Sequence, residues 1–291
     1  MDLVSIITPA YYTQTYILGA IKSVLAQTYE QWEMLIVADD LLDYQSFCQA
    51  QSLDDHRIKF ISTGQVGSGV QNARNMGLEA ASGTIVALLD SDDYFVPSKL
   101  EQMVPKTKEY GVTSCAVAIK SENGSLIRNV GDQIPASGLT YSQYPLVNFA
   151  NSSMLLFDRT KIKFFYDASL AAVEDFVFTM ACYDYISEIY HFPTPLHHYC
   201  RREGSLTNDP ETTARFIKTK QELLQRIEEG ETPIQSPGVL KALQQCLEIT
   251  LEIEKRIHNG LVQCDDNVLF VDLVEQEYSK LGILPYPIIC T

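Results

Sequence analysis

The chain has 291 residues, and 46% of them are hydrophobic, which is enough to bury the core of one large domain or two modest ones. Its 22 basic and 37 acidic residues give a net charge of -15. This charge argues against nucleic acid and anionic membrane surfaces as partners, because both favour positive charge. No apolar run reaches about 18 residues, so the sequence predicts no membrane span.

The N-terminus and the cysteines predict a cytoplasmic protein. The stretch DLVSIITPAYY has strand character, with no basic segment before it and no cleavage site after it, so it does not resemble a signal peptide. Seven cysteines are scattered without CxxC spacing. An odd number of unpaired cysteines is typical of reduced thiols in the cytosol, and no zinc site is visible.

The first third of the chain alternates strands with helices. Helical spacing of apolar residues predicts helices over 14–28, over 43–52 and from the Gly-rich turn after Val66 to Gly83. The strands are apolar on both faces, which predicts a mostly parallel sheet covered by helices on both sides. The four predicted strands are LVSII, WEMLIVA, RIKFIST and TIVALLD.

The region from Thr113 to Phe165 is less regular. VTSCAVAIK and SSMLLFD predict strands, and the Gly-, Ser-, Asn- and Pro-rich stretch 123–144 predicts a long loop. AAVEDFVFTMACYDY predicts a helix, and SEIYHFPTPLHHYCRREGS predicts a strand followed by a polar loop.

The composition changes near Asn208 to Glu211, so we predict domains over 1–208 and 209–291. The second region contains two long amphipathic helices, ARFIKTKQELLQRIEEG and VLKALQQCLEITLEIEKRIHNG. Their apolar stripes need a partner, either the first domain or a second copy of the chain. The stripes comprise Phe216, Leu223, Leu224 and Ile227 on the first helix, and Leu243, Leu247, Ile249 and Ile253 on the second.

Three predicted strands end in polar residues, Thr8, Asp39 and Asp90. Ligands of such sheets bind at the carboxyl ends of the strands, so these side chains are candidates for one site. The fourth strand runs into Asp90, Asp92 and Asp93. This cluster is either a solvated turn that caps the helix after Pro97, or a site for Mg²⁺ or Mn²⁺ facing a diphosphate.

Several motifs occur together in an order that closely resembles family 2 glycosyltransferases of the GT-A fold. They are VSIITPAYYTQTYILGAIKSVLAQTYEQWEMLIVADD, NARNMGLEAASGTIVALLDSDDYFVPSKLE, VEDFVF and YCRREGSLT, and they span about two-thirds of the chain. The resemblance implies an α/β GT-A catalytic domain over 1–208 with a Rossmann-like sheet, and a helical C-terminal region over 209–291. It also implies an inverting sugar transfer from a nucleotide-diphosphate donor, with one Mn²⁺ or Mg²⁺.

On the donor side, the resemblance assigns Thr8, Pro9 and Tyr11 to the border of the nucleotide base, with the Tyr11 ring placed to stack on it. An ungapped alignment from Trp32 matches Asp39 to the family's uracil-reading acid. Here the chain departs from the usual Asp-Asp-Gly-Ser: Ala38 replaces the first Asp, and Asp40-Leu41 replaces Gly-Ser. These departures leave the choice of base open.

For the diphosphate and its metal, the resemblance matches four residues. Arg74 corresponds to a basic residue that approaches the diphosphate, although a helix-surface arginine is the plainer alternative. Asp90 and Asp92 match the DxD pair, with Asp92 as the direct metal ligand and Asp93 as a cap or supporting group. In the loop after the last strand, Arg202 matches a second basic position, whereas Cys200 stands where the family usually has arginine.

Of the neighbouring residues His197 and His198, at most one can face the site, because adjacent strand residues point to opposite faces, and a packed histidine is favoured.

An inverting transfer needs a base on the face opposite the leaving diphosphate, so the metal-bound pair cannot supply it. Glu174-Asp175 matches the family's ED motif, which implies Asp175 as the base and Glu174 as a residue that binds or orients the acceptor. The alternative is a helix N-terminus that favours acids through its dipole.

The sequence therefore predicts a glycosyltransferase that uses a UDP-sugar donor and a hydroxyl acceptor on a polysaccharide, a glycolipid or another glycan or lipid-linked precursor. One alternative is a catalytically degenerate nucleotide-sugar-binding domain. Another is a sugar-nucleotide nucleotidyltransferase, which PAYYTQTYI disfavours because it lacks the Gly and Lys of that class after the first strand. Peripheral association with the inner membrane face and a homodimer through the C-terminal helices are further expectations, and nucleic acid is not an expected partner.

Overall fold

The computed structural model describes residues 2–146, 152–202, 212–264 and 268–282. In the first third of the chain, strands and helices alternate as β1 (Val4–Ala10), α1 (Ile17–Leu25), β2 (Trp32–Ala38), α2 (Tyr44–Ala50), β3 (Ile58–Ser62), α3 (Val70–Ala80) and β4 (Ile85–Leu88). These elements confirm the predicted order. The predicted boundaries differ from them by a few residues at the helix ends.

The remaining described elements are β5 (Tyr94–Phe95), α4 (Lys99–Tyr110), β6 (Val112–Ser121), β7 (Leu126–Val130), β8 (Ser137–Leu139), β9 (Leu156–Asp158), α5 (Glu174–Ala181), β10 (Ile189–Arg201), α6 (Thr212–Glu228), α7 (Pro237–His258) and α8 (Phe270–Lys280). None of the described helices is long and apolar enough to cross a lipid bilayer. The predicted boundary between 208 and 209 lies outside the described residues.

Within the described ranges, the ten strands belong to one sheet, whose main path runs β3-β2-β1-β4-β9-β6-β10-β5. The prediction of parallel strands holds for β3, β2, β1 and β4. The second half is mixed, because β9 pairs antiparallel with both β4 and β6, whereas β6 and β10 are parallel. The parallel half therefore brings the ends of β1, β2 and β4 to one edge, as the site prediction requires.

Two predictions for the middle of the chain were wrong in detail. The stretch 123–144 is not one long loop, because β7 pairs with β6 and β8 pairs with β10. SSMLLFD is not one strand either, because Ser152–Met154 forms a 3₁₀ turn before β9 begins. In the first case, pairing with the long neighbouring strands β6 and β10 decides the structure.

Apolar residues cover both faces of the sheet. One cluster joins the sheet to α1, α2 and α4, through residues such as Ile21, Cys48 and Met103. The other cluster joins it to α3 and α5 and includes residues of α6 and α7. A sheet buried on both faces explains why its central strands are continuously apolar.

The C-terminal helices pack on the rest of the protein, as their apolar stripes predicted. Leu243 and Leu247 of α7 belong to the same buried cluster as Phe176 and Met180 of α5. Helix α8, which we did not predict, packs against α7 through a smaller cluster that includes Ile253 and Val274. The two stripes are therefore buried largely within one chain.

Candidate active site

The ends of β1 and β2 form the first part of the site, and the predicted residues there differ in exposure. Tyr11 is 53% exposed and makes an edge-to-face contact with Tyr12 at 4.7 Å between ring centroids. Thr8 is fully buried, and its hydroxyl has no hydrogen-bond partner among the described residues. The Thr8 side chain is therefore not placed to border the base, contrary to the expectation. Pro9 and Tyr11 remain candidates at this edge.

Asp39 differs most from its predicted role. Its Oδ1 accepts hydrogen bonds from the Thr63 hydroxyl at 2.8 Å, the Ser68 amide at 3.0 Å and the Ser68 hydroxyl at 2.5 Å. Its Oδ2 accepts one from the Gly69 amide at 3.0 Å, and the residue is only 4% exposed. The carboxylate thus anchors the loop that leads into α3, and this geometry does not support Asp39 as the group that reads uracil.

The carboxylate of the neighbouring Asp40 also accepts hydrogen bonds from groups of the protein itself. It accepts hydrogen bonds from the Tyr12 amide at 2.6 Å, the Leu42 amide at 3.0 Å and the Tyr44 hydroxyl at 2.8 Å. Tyr12 and Leu41 both have positive φ angles, which are uncommon outside glycine. The unusual sequence Ala38-Asp39-Asp40-Leu41 therefore forms a specific turn, in which both carboxylates accept hydrogen bonds from backbone amides.

Asp90 and Asp92 follow β4 and remain partly open, with side chains 29% and 19% exposed. Burial raises the pKa of Asp92, repulsion by Asp90 raises it further, and Arg202 lowers it. The Arg202 Nε donates a hydrogen bond to Asp92 Oδ2 at 2.6 Å, and its guanidinium lies over the Tyr16 ring. The structure therefore places Arg202 beside the DxD pair, and its match to a diphosphate-binding position stays a prediction.

Asp90 and Asp92 also fit a hard divalent cation. Two carboxylates that repel each other at the end of a strand suit Mg²⁺ or Mn²⁺, which bind oxygen ligands and leave positions for phosphate oxygens. Among the described residues, no group of three or more His, Cys, Asp or Glu side chains could hold a metal ion by itself. A cation here would therefore need oxygen ligands from water or a bound diphosphate as well.

Asp93 supports the site from beneath and does not cap a helix. It is fully buried, its Oδ2 bonds to His197 Nε2 at 2.8 Å, and its Oδ1 accepts the Cys200 amide at 2.9 Å. Lys99 extends this network, because its Nζ contacts His197 Nδ1 at 3.3 Å and donates to the Ser153 carbonyl at 2.9 Å. His197 is thus a packed histidine, and the network ties the DxD turn to β10.

Arg74 is the residue that joins the two sides of the site. Its side chain is 3% exposed, so it is neither the helix-surface arginine nor an open ligand for a diphosphate. Nη2 bonds to Asp90 Oδ1 at 3.0 Å, and Nη1 bonds to Glu174 Oε1 at 3.1 Å and to Asp175 Oδ1 at 2.9 Å. Burial lowers the pKa of Arg74, but the surrounding carboxylates outweigh burial and raise it well above its ordinary value.

The position of Arg74 follows from close packing of α3 on the sheet. A Cβ added at Gly77 would lie 2.4 Å from Ile7 Cγ2, so only glycine allows this approach to β1. In the first turn of α3, the Gln71 side chain donates to the Leu170 carbonyl at 2.6 Å. Helix α3 therefore fixes both Arg74 and the segment that leads to Glu174-Asp175.

Asp175 lies at the start of α5 and is a buried carboxyl group with a raised pKa. Burial raises its pKa, the nearby carboxylates of Glu174 and Asp90 raise it further, and Arg74 and Ser152 lower it, which leaves it at about 7. The residue before Glu174 is Val173, whose φ of 58° is unusual for a β-branched side chain. The helix thus begins in a strained conformation that presents both acids to Arg74.

The sequence analysis missed two residues of a hydrogen-bond chain that ends at Asp175. The Ser152 hydroxyl donates to Asp175 Oδ1, and the Tyr166 hydroxyl donates to Ser152 Oγ at 2.8 Å. Ser152 lies in SSMLLFD, where the only sequence feature that could indicate its contact with Asp175 is the pair of serines before a buried strand. Nothing in the sequence around Tyr166 indicates its role.

The chain belongs to glycosyl transferase family 2, because residues 5–166 match the model of that family. This match and the fold also set aside the nucleotidyltransferase alternative. A curated relative, the UDP-Glc:alpha-D-GlcNAc-diphosphoundecaprenol beta-1,3-glucosyltransferase WfgD of Escherichia coli, is 43% identical over 102 residues. The match covers 35% of this chain and 40% of the relative, so the chain spans less than half of that protein.

Solved structures confirm the GT-A fold. Staphylococcus aureus TarS 1-349 in complex with UDP-GlcNAc superposes with a TM-score of 0.67 at 19% identity, covering 90% of this chain and 75% of that one. The mannosyltransferase PcManGT from Pyrobaculum calidifontis, in complex with GDP-Man and Mn²⁺, gives a TM-score of 0.58 at 14% identity, covering 97% of this chain and 81% of that one. At these identities the likeness establishes the fold alone.

Proposed function

We propose that this protein transfers a sugar from a UDP-sugar to a hydroxyl group of a glycan or lipid-linked acceptor, with inversion at the anomeric carbon. The observation that carries the proposal is the arrangement around Arg74. Its guanidinium joins Asp90, at the DxD turn, to Asp175, a buried carboxylate whose pKa is about 7. A metal-type carboxylate pair and a separate base are the two parts that an inverting displacement needs.

The chemistry follows from these residues. Asp175 takes the proton of the acceptor hydroxyl while that oxygen bonds to the anomeric carbon of the sugar. The bond from this carbon to the diphosphate oxygen breaks, and the nucleoside diphosphate leaves with the electron pair. Asp90 and Asp92 would hold a Mn²⁺ or Mg²⁺ ion that offsets the charge of the leaving diphosphate.

Glu174 and Arg202 complete the proposed roles. Glu174 lies beside the base on Arg74 and is 13% exposed, so we assign it to orientation of the acceptor. Arg202 neutralises Asp92 in this structure, and its guanidinium is placed to serve the diphosphate when a cation takes over Asp92. Pro9 and Tyr11 border the base, where the exposed Tyr11 ring offers a stacking surface.

The donor and acceptor classes draw on the relatives. WfgD is named for UDP-Glc and a diphosphoundecaprenol-linked acceptor, and TarS was solved with UDP-GlcNAc, which favours a UDP-sugar here. PcManGT was solved with GDP-Man, so a guanosine donor is the competitor to test. A lipid-linked acceptor would bring the protein to the inner face of the membrane. That location and a homodimer through the C-terminal helices stay predictions.

Calorimetric titration with UDP tests the donor site. We expect Mn²⁺ to tighten UDP binding by about tenfold or more relative to a chelator, which corresponds to about 1.4 kcal/mol. Asp92→Asn should remove this gain, whereas Glu222→Gln, an amide substitution on the exposed face of α6, should keep it. Equal UDP affinity with metal and with chelator in the parent protein would refute the metal site.

Product analysis then tests the transfer itself. Incubation with UDP-Glc, UDP-GlcNAc and GDP-Man, each with lipid-linked and free glycan acceptors, should give a new glycoside from a UDP donor. NMR of the product should show inverted anomeric configuration. Metal-dependent UDP binding without transfer to any acceptor would favour the degenerate binding domain instead.

A further inference from the structure

Asp175 is held on one oxygen and open on the other. Its Oδ1 accepts hydrogen bonds from Arg74 Nη1 at 2.9 Å and from the Ser152 hydroxyl. Among the residues that the structure describes, no donor reaches Oδ2. A carboxylate with one saturated oxygen presents the other one to an incoming hydroxyl.

The Ser152 contact is one link in a buried chain of donors. Ser152 has one proton, which it gives to Asp175, so its oxygen is free to accept from the Tyr166 hydroxyl at 2.8 Å. Burial raises the pKa of Tyr166 well above its ordinary value, so this phenol keeps its proton. Ser152 is fully buried and Tyr166 is 3% exposed, so neither hydroxyl is open to bulk water.

Tyr166 is itself fixed from two sides. Its amide donates to Asn75 Oδ1 and its carbonyl accepts from Asn75 Nδ2, both at 2.8 Å, so α3 holds its backbone. Its ring stacks on Phe178 of α5, with 4.7 Å between centroids and an 8° angle between planes. Because Asn75 follows Arg74 directly, one turn of α3 supplies Arg74, a donor to Asp175, and holds Tyr166, the donor to Ser152.

We propose that Ser152 and Tyr166 are positioning residues that hold Oδ1 of Asp175 and leave Oδ2 as the oxygen that takes the acceptor proton. This proposal rests on the proposed function of the site. In the reaction the proton moves from the acceptor hydroxyl to Oδ2, while the new glycosidic bond forms and the diphosphate leaves with its electron pair. Ser152 and Arg74 keep their bonds to Oδ1 throughout, so the carboxyl group does not rotate.

The groups that face Asp175, directly or through Ser152, come from five segments. They are Arg74 on α3, Asp90 after β4, Glu174 beside it on α5, and the Ser152–Tyr166 pair from the segments around β9. Of these, Arg74 and Ser152 stabilise the ionised carboxylate, and Asp90 and Glu174 oppose it. Loss of the Ser152 bond must therefore shift the Asp175 titration to higher pH.

Three variants of the full chain separate positioning from packing. Ser152→Ala removes the donor to Asp175, and Tyr166→Phe removes only the hydroxyl, so that the ring stack on Phe178 stays. Tyr183→Phe is the matched control: its buried hydroxyl donates to the Leu139 carbonyl at 2.8 Å, in the same apolar cluster. If the hydroxyls serve packing alone, Tyr166→Phe and Tyr183→Phe should behave alike.

The kinetic expectation is a loss in kcat with little change in donor affinity. Ser152→Ala should lower kcat by about 10–100-fold, the size of one hydrogen bond to a charged group, and Tyr166→Phe by about 3–10-fold. UDP affinity and the donor KM should stay within about twofold, because neither residue contacts the DxD turn. A Tyr183→Phe loss as large as that of Tyr166→Phe would overturn the proposal.

A second measurement does not need any substrate. Carbon-13 NMR of aspartate carboxyls in the free protein, with the Asp175 signal assigned from Asp175→Asn, follows the titration directly. Ser152→Ala should raise the Asp175 pKa, and the acid limb of the kcat profile should move with it; an unchanged titration would overturn the proposal. Absence of transfer in the parent protein would refute the proposed function, while the NMR titration would still decide the Ser152 contact.

Discussion

The proposed donor side of the site, at the ends of β1, β2 and β4, and the proposed base side, around Asp175, are built in different ways. On the donor side, Asp39 and Asp90 end regular parallel strands, and the sheet topology alone brings those ends together. On the base side, Asp175 follows a strained Val173 and is oriented by contacts from residues far apart in the sequence. Sheet topology brings the first side together before any side-chain contact is made, whereas the second side is assembled by side-chain hydrogen bonds between distant segments.

This difference implies different tolerances to substitution. Changes on the donor side should affect ligand affinity and leave the strand ends in place. Changes on the base side should alter the orientation or charge of Asp175, and so act on turnover and on pH dependence. Arg74 bonds to both sides and should be sensitive in both respects.

The largest effect is expected for Asp175→Asn. The amide keeps the shape of the carboxyl group but cannot take a proton, so kcat should fall by about 10²–10⁴-fold. Metal-dependent UDP affinity should stay near the parent value, because the donor side is built separately. Near-normal turnover would end the assignment of Asp175 as base, and a collapse of UDP binding would place this residue on the donor side.

Although Asp175→Asn should lower kcat, it should raise the stability of the folded protein relative to the parent at high pH. The pKa of Asp175 is raised to about 7 in the folded protein, so its stabilising contribution is present below the unfolded value near 4 and is lost as pH rises through 7. Asp175→Asn should therefore gain stability relative to the parent between pH 5 and pH 8. Thermal unfolding at both pH values checks the sign, and an equal difference at both would contradict it.

The next effect is expected for Arg74→Gln, which removes the cation shared by both sides. Three carboxylates then face one another without their partner, and the free energy of unfolding should fall by about 3–5 kcal/mol. Arg57→Gln is the control. Arg57 is 30% exposed, and besides its ion pair with Asp55 it lies over the Trp32 ring and donates to the Glu30 carbonyl, so a smaller loss of about 1–2 kcal/mol is expected. Urea unfolding measures both, and equal losses would show that burial of Arg74 adds nothing.

Leu247→Ala tests whether the base side depends on the C-terminal helices. Leu247 is 1% exposed in the cluster that contains α5, so its truncation should cost about 2–5 kcal/mol. Leu261→Ala, at a position 73% exposed, should change stability by about 0.5 kcal/mol or less. A Leu247→Ala protein as stable as the parent would show that the helices do not support α5.

The smallest effect is expected for Asp39→Asn. The amide nitrogen would face a backbone donor of the 63–69 loop, which should cost about 1–3 kcal/mol and speed hydrogen exchange of the Ser68 and Gly69 amides. The preference for UDP over GDP should remain. If the preference for UDP disappears while the Ser68 and Gly69 amides still exchange slowly, Asp39 contacts the base and not only the 63–69 loop.

The sequence by itself determined the α/β alternation, the family, the residues at the strand ends and the ED pair, because periodicity and short motifs are local properties. Only the tertiary structure showed that Asp39 holds a loop, that Arg74 joins three carboxylates and that Ser152 and Tyr166 reach Asp175. These contacts join residues up to about a hundred positions apart, as between Arg74 and Asp175. Such pairs leave no local pattern, because packing of α3, α5 and the 3₁₀ turn brings them together only in the folded chain.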